Sequence, residues 1–410
     1  MKLLIQVDQV IDSVSAKAFT KGAVLVEGDR ILAVGRQADI GVPEGACVVA
    51  APPGASLMPG LADVHVHLAY SGSPHKKAFR AELVEMSYAA VALRAARYAE
   101  ATLRMGFTAL RDMHAPGGTI IDLAASIEKG ETLGPRIKAC GRGLSVTGGH
   151  MDQPGWADHT HFRDLTQPCD GPIGFRKGAR EEIKRGADFI KINSSCSDGT
   201  RIGVWNRQEM TNEEIAAVCD EAHMWGVKVA AHTVGGESLY NTILHGADTV
   251  EHAHWQDDKT RELMVKRGTF YIPTLLVNER NFEFTPDEQG ATPTSWRWLN
   301  ASREAKWKTL AAARKAGIKI CCGTDAGYMI PHGPMNWREM DLLIKGGLTN
   351  MEAIIAATAT NHDLLGIDAG RLQPGKLADM LIVHGDPLKD ITILSKPESL
   401  RVFKGGKEVL

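Results

Sequence analysis

Residues 59–67 read Pro59-Gly60-Leu61-Ala62-Asp63-Val64-His65-Val66-His67. An apolar-rich run opened by Pro-Gly predicts a buried strand over Leu61–Leu68. Alternate residues of a strand share a face, so His65 and His67 project together while Val64 and Val66 face covering helices. One histidine on a strand is most often a hydrogen-bonded core residue. Two at i and i+2, at the end of a buried strand, point instead to a shared chemical task.

The same rhythm recurs outward from this strand. Apolar runs closed by polar or glycine residues, each followed by a helix-like stretch, occur at Thr108–Met113, Arg136–Leu144, Phe189–Asn193, Val227–Thr233, Thr249–Ala253, Phe270–Leu275 and Ile318–Asp325. Eight such units predict an α/β fold, a (β/α)8 TIM-like barrel. A doubly wound open sheet competes with it, because periodicity does not show closure. Thr211 with Glu214, and Thr349 with Glu352, have capping-box spacing ahead of apolar stretches and mark helix starts.

The two ends differ from the middle. Residues 1–57 carry Ala23–Val26 and Arg30–Gly35 around Gly28-Asp29, and residues 373–410 carry Met380–Val383, Leu400–Phe403 and a Gly405-Gly406 turn. These are hairpin signals, and isolated hairpins are barely stable alone. Residues 1–57 and 373–410 are therefore expected to pair as a small composite β-sandwich domain, with residues 58–372 forming the barrel.

Composition suits that plan. The chain has 410 residues, 44% hydrophobic and 23% charged, enough for a barrel of about 250 residues and a smaller domain. A net charge of -2 gives no field to draw nucleic acid or an anionic membrane, so small-molecule partners are expected. No apolar run approaches the roughly 20 residues that span a bilayer. Met1–Val10 mixes Lys2, Gln6, Asp8 and Gln9 into its apolar residues, unlike an export signal. Seven scattered cysteines favour a reducing, cytoplasmic setting without a disulfide framework or zinc-ribbon spacing.

Further candidates fall at strand ends. His232, His252 and Asp325 close the fifth, sixth and eighth expected strands, on the C-terminal side where barrel active sites lie. Neutral imidazoles and a carboxylate are donors that zinc prefers. Lys191 lies between Ile190 and Ile192 on the fourth strand, where an unpaired ammonium is costly. It is either a buried lysine paired with an acid or an amine carboxylated by carbon dioxide.

With Gly323-Thr324-Asp325, these residues stand in an order that resembles the amidohydrolase superfamily over nearly the whole chain, in its binuclear subtype with a strand-four lysine. The resemblance implies two divalent metal ions, expected to be Zn2+, held by His65, His67, carbon dioxide-carboxylated Lys191, His232, His252 and Asp325. The segments Gly148-Gly149-His150-Met151-Asp152, Cys169-Asp170-Gly171-Pro172, Gly186–Lys191 and Thr249–Ala253 resemble one branch of it. That branch includes Xaa-Pro and Xaa-Arg/Lys dipeptidases and ochratoxin-type amidases, with imidazolonepropionase more distant. It implies a metal-dependent hydrolase that cleaves the amide of a dipeptide or N-acyl amino acid by a metal-activated hydroxide. His150 would sit beside the substrate carbonyl or carboxylate and Asp325 would carry the proton. A homo-oligomer, possibly an octamer, is also implied.

Cyclic-amide or imidazolonepropionase-like hydrolysis is the alternative on the same scaffold, whereas Lys191 argues against a mononuclear deaminase. A metal-free scaffold relative would have lost ligands, and every ligand position here is filled. The loops Ser194–Met210 and Asn278–Asn300 offer Arg201, Trp205, Arg280, Trp296 and Arg297 to a substrate. Arg201 is the candidate for binding a substrate carboxylate, which its fork matches. Asp158, His159 and His161 read as a solvated loop, and His223, His245 and His332 as structural. Glu251 alternates with His252 and is expected to face a helix.

Overall fold

In the computed structural model, which describes residues 2–15, 17–75, 78–152, 165–196 and 206–409, the apolar runs become parallel strands. These are β1 (Leu61–Val66), β2 (Phe107–Asp112), β3 (Arg136–Ala139, continued by Gly143–Ser145), β4 (Phe189–Asn193), β5 (Lys228–Gly235), β6 (Thr249–Trp255), β7 (Phe270–Ile272) and β8 (Lys319–Ile320). Neighbours pair in chain order from β1 to β3 and from β4 to β8.

Two seams close the ring. Between β3 and β4, Ile192 pairs with Leu144, and the Asp188 N–H donates to the Ala139 carbonyl at 2.8 Å. Between β8 and β1, the Val64 N–H donates to Cys322 O at 3.1 Å, the Asp325 N–H donates to His65 O at 2.8 Å, and Val66 bridges Ala326. The fold is a (β/α)8 barrel, not an open sheet.

Two strands depart from expectation. The third breaks at Cys140–Arg142, where Gly141 adopts φ 71° and the Glu182 carboxylate takes the Arg142 N–H at 3.1 Å and its Nε at 2.7 Å. The eighth is only Lys319–Ile320, because side chains replace the ladder beyond it. Asn361 Oδ1 accepts from Cys322 N at 3.1 Å, and Asp63 Oδ1 accepts from Thr324 N at 3.1 Å.

Both expected capping boxes form. The Thr211 hydroxyl accepts from Glu214 N while the Glu214 carboxylate accepts from Thr211 N, and Thr349 with Glu352 does the same. Helices so started cover the outward strand residues, such as Ile190, Ile192, Val229 and Ala231 against Ile215 and Val218. Alternation leaves Lys191 facing the barrel interior.

The chain ends join in one hydrogen-bonded sheet of eight strands, running from Lys407–Glu408 through Leu400–Lys404, Met380–Val383, Ser56–Pro59, Lys2–Val10 and Phe19–Glu27 to Arg30–Arg36, with Cys47–Ala50 beside Lys2–Val10. It curls into a sandwich, since Leu3, Ile5, Val24, Ile31, Leu57, Met380 and Phe403 share one apolar cluster. The Gly405-Gly406 turn meets Gly28-Asp29 so closely that a Cβ on Gly406, at φ 72°, would lie 2.7 Å from Gly28 O. All seven cysteines are free thiols. Among the described residues, no helix is long and apolar enough to cross a membrane.

Candidate metal centre

β1 and the residue just after it deliver His65 and His67 to the C-terminal mouth. The His65 Nδ1 lies 2.8 Å from Glu251 Oε2, and a carboxylate that only accepts leaves the His65 Nε2 lone pair free to bind a ligand. That Nε2 is 3.6 Å from Asp325 Oδ1, and His67 Nε2 is 3.1 Å from the same oxygen. Donor atoms of His65, His67 and Asp325 all lie within 4.8 Å of one another.

β5 and β6 supply the opposite wall. The rings of His232 and His252 are 4.6 Å apart, and His252 stands 5.1 Å from His65. The His252 Nδ1 is 2.8 Å from Thr274 Oγ1, which leaves its Nε2 for the centre. The His232 Nε2 is buried without a hydrogen-bond partner among the described residues. Lys191, 2% exposed on the inner face of β4, bears electrostatically on His65, His232, His252 and Asp325.

Local backbone conformation makes this convergence possible. His252, Ala253, Thr274 and Asp325 all have positive φ, at 70°, 38°, 46° and 66°. Each such non-glycine conformation costs on the order of 1–3 kcal/mol and persists only where its surroundings enforce it. Gly323 permits the approach of the last segment, because a Cβ there would lie 2.6 Å from an Ile272 methyl and 3.0 Å from His65 Cβ.

Glu251 corrects the sequence reading. It faces the barrel interior, fully buried, where it accepts from Arg111 at 2.7 Å and Thr249 Oγ1 at 2.6 Å and holds His65. Alternation puts Glu251 on the inner face with Thr249. The positive φ of His252 then breaks alternation, and both residues point inward.

Electrostatics keep the imidazoles neutral. Burial pushes His65 down to about 4 against the pull of Asp325 and Glu251, and burial with neighbouring charges holds His232 and His252 well below the ordinary range. For Asp325, burial favours the neutral acid, but His65, His67 and Lys191 together hold it below its usual value. Burial likewise works against Glu251 ionisation, and Arg111 and His65 overcome it, bringing the group to about 2. Neutral imidazoles around an ionised carboxylate, with a ring nitrogen left unpaired, fit a divalent ion.

His150 stacks on His232 with centroids 4.1 Å apart, and its backbone N–H donates to the Glu209 carboxylate at 2.8 Å. His332 donates to His67 O at 3.1 Å, in keeping with a structural part, and His223 pairs with Asp248 on the surface. Arg280 is engaged by Glu283 and Phe284. Arg201, Trp205, Asp158, His159 and His161 lie outside the described residues.

Several contributors escaped the sequence reading. Arg111 had the same signal as Lys191, a cation inside an apolar strand. His114 and Tyr70, hydrogen-bonded to each other and ring-packed on His67 at 4.4 and 4.8 Å, lie in the turns after β2 and β1, where no periodicity marks them.

Comparison with known proteins agrees with this geometry. The model of the amidohydrolase family matches residues 56–409. Ochratoxinase of Aspergillus niger is 30% identical over 406 residues, covering 94% of this chain and 82% of that protein. Imidazolonepropionase of Paracoccus denitrificans is 24% identical over 396 residues, covering 88% of this chain and 87% of that one. Among solved structures, a Xaa-Pro dipeptidase with methionine bound in its active site superposes with a TM-score of 0.88 at 28% identity, covering 100% of both chains. The chain belongs to the amidohydrolase family.

Proposed function

We propose that this protein is a metal-dependent hydrolase cleaving the amide bond of a dipeptide or an N-acyl amino acid, of the Xaa-Pro, Xaa-Arg/Lys or ochratoxin-type class. The observation that carries the reading is the convergence of His65, His67 and Asp325 donor atoms within 4.8 Å, faced by His232 and His252. The likeness to an ochratoxinase and to a Xaa-Pro dipeptidase supports the substrate class. Residues 58–372 are assigned to the hydrolytic barrel, and 1–57 with 373–410 to the composite β-domain.

His65, His67, Lys191, His232, His252 and Asp325 would hold two divalent ions, with zinc the best match to the donors. When bound, such ions polarise a carbonyl oxygen and lower the pKa of water to near neutrality. Asp325 takes the proton released by the attacking water and delivers it to the leaving nitrogen, so that a neutral amine departs. His150, stacked on His232, is assigned to the substrate carbonyl or carboxylate, and Arg201 to the carboxylate. Burial lowers Lys191 to about 8, which supports a neutral amine able to react with carbon dioxide.

The test is hydrolysis by zinc-loaded and chelator-treated protein of a panel of Xaa-Pro, Xaa-Arg and Xaa-Lys dipeptides, N-acyl amino acids and cyclic amides. Chelator-sensitive turnover of the linear amides is expected. Turnover of cyclic amides alone would replace this reading with the cyclic-amide one. A homo-oligomer, assigned with the branch, is checked by light scattering at micromolar concentration.

A further inference from the structure

Behind the histidine wall, a buried cation reaches toward the site from the long helix Pro293–Ala316. Lys306 is 2% exposed. Its ammonium donates to Thr274 O at 2.7 Å and approaches Thr274 Oγ1 at 3.5 Å. The same helix is keyed to β6 by Thr309 Oγ1, which donates to His254 O at 2.7 Å.

Thr274 is an unexpected residue for its conformation. With φ 46° and ψ 55° it is left-handed, a region that costs an L-residue roughly 1–2 kcal/mol and that glycine adopts freely. A β-branched residue held there is best explained by a need for its hydroxyl, which lies 2.8 Å from His252 Nδ1. On the far side, the Glu339 carboxylate accepts from Leu275 N at 2.9 Å and Leu276 N at 2.7 Å. The Thr274 carbonyl and the two N–H groups that follow it are thus held by buried side chains.

We propose that Lys306 is a positioning residue for His252, acting through Thr274. Lys306 Nζ donates to the Thr274 carbonyl and so fixes the residue whose hydroxyl faces His252. Held 2.8 Å from the ring, the hydroxyl oxygen takes the His252 Nδ1–H in this proposal and leaves the Nε2 lone pair for the metal centre. The partner of the remote ring nitrogen sets the tautomer of a histidine ligand. Without Lys306, Thr274 relaxes or donates its own proton to Nδ1, which places the imidazole proton on Nε2 and removes the donor. The inference rests on the reading of His252 as a metal ligand.

The experiment measures the zinc affinity of metal-stripped protein by competition with a chromophoric chelator, with circular dichroism as the check on folding. Lys306→Met and Thr274→Val are expected to bind zinc about 10–100-fold more weakly, the range for loss of an outer partner. Thr274→Ser should recover wild-type affinity. Thr274→Gly relaxes the backbone but lacks the hydroxyl, and should be as weak as Thr274→Val. The Lys306→Met/Thr274→Val double variant should be no weaker than Thr274→Val alone, because both act through one hydroxyl. Wild-type affinity in folded Lys306→Met, losses that multiply in the double variant, or tight binding by Thr274→Gly would overturn the inference. If Lys306→Met does not fold, equal affinities in the Ser, Val and Gly variants overturn it. A wild-type protein that takes up no zinc ends the metal reading itself, a result distinct from zinc uptake unaffected by these variants.

Discussion

At the scale of single residues, the site is a set of groups kept away from their solution protonation states. Seven buried histidines (His65, His114, His232, His252, His254, His332 and His362) are held below their ordinary value, burial being the largest cause in each. Four buried carboxyls (Asp63, Asp112, Glu209 and Glu339) are pushed up by burial and oppose them. A histidine neutral in the native state gains a proton on unfolding. The contribution of His65 and His332 to the stability of the metal-stripped protein is thus full above about 6.5 and lost as pH falls to about 4, by roughly 1.4 kcal/mol per pH unit for each unopposed histidine. Urea denaturation of stripped protein across that window measures it, and a flat profile contradicts the balance. Zinc, competing with protons for the same nitrogens, should move the loss to lower pH. Asp325→Asn separates ligation from proton transfer: the variant is expected to keep much of its zinc while turnover falls by about 10²–10⁴-fold or more. Wild-type-like turnover in the metallated variant would remove the proton role. His65, His67, Lys191, His232, His252 and Asp325 stand out as candidates in the sequence because imidazoles, a lysine and a carboxylate at strand ends are chemically conspicuous, and the structure brings donor atoms of His65, His67 and Asp325 together. Glu251 was misread because alternation was extended through His252, whose positive φ no sequence pattern announces.

At the scale of elements, strands were readable where backbone ladders build them and unreadable where side chains replace the ladder. Phe189–Asn193 appears with the expected bounds, since its five residues alternate between core and barrel interior. Ile318–Asp325 shrinks to Lys319–Ile320 because Asn361 and Asp63 take the Cys322 and Thr324 N–H groups that a continuous ladder would use. Asn361 Nδ2 donates to Ala62 O and Cys322 O, each at 2.7 Å, while Oδ1 takes Cys322 N at 3.1 Å. It follows the π-helical turn Ala356–Thr360, whose wider winding changes the face that the next helix presents inward. Asn361→Ala strands the Cys322 N–H and weakens two carbonyls. At about 1–3 kcal/mol for a buried unsatisfied group, the expected loss is about 2–4 kcal/mol in urea denaturation. The same seam carries His65 and Asp325, so zinc affinity should fall with it. An unchanged urea midpoint would mean that the backbone bonds of the seam and apolar packing close the barrel without Asn361.

At the scale of the whole molecule, the composite sheet sets the position of the first ligand strand. The chain passes from Ser56–Pro59 in that sheet straight into β1 through Gly60, whose N–H donates to Asp379 O at 2.9 Å. Apolar residues Met58, Leu381, Val383, Leu400 and Val402 on the barrel-facing side join the barrel's main cluster. The polar tie is Asp379, fully buried, which accepts from Arg136 Nε at 2.7 Å, Arg136 NH2 at 3.1 Å and Gly405 N at 2.7 Å. Removing one partner of a buried ion pair costs about 3–5 kcal/mol. The Arg136 side chain is 30% exposed and regains some water, so Asp379→Ala is expected to cost about 2–3 kcal/mol, below the range for a fully buried pair. All eight tryptophans fall between Trp156 and Trp337, so fluorescence reports the barrel alone, while far-ultraviolet circular dichroism reports sheet and barrel together. In the wild type the two transitions should coincide, as for one cooperative unit. In Asp379→Ala the dichroism transition should begin at lower urea than the fluorescence transition, because the sheet loses its charged anchor before the barrel opens. Coincident and unshifted transitions in that variant would show that apolar contact holds the sheet to the barrel and that the Arg136–Asp379 fork adds nothing measurable.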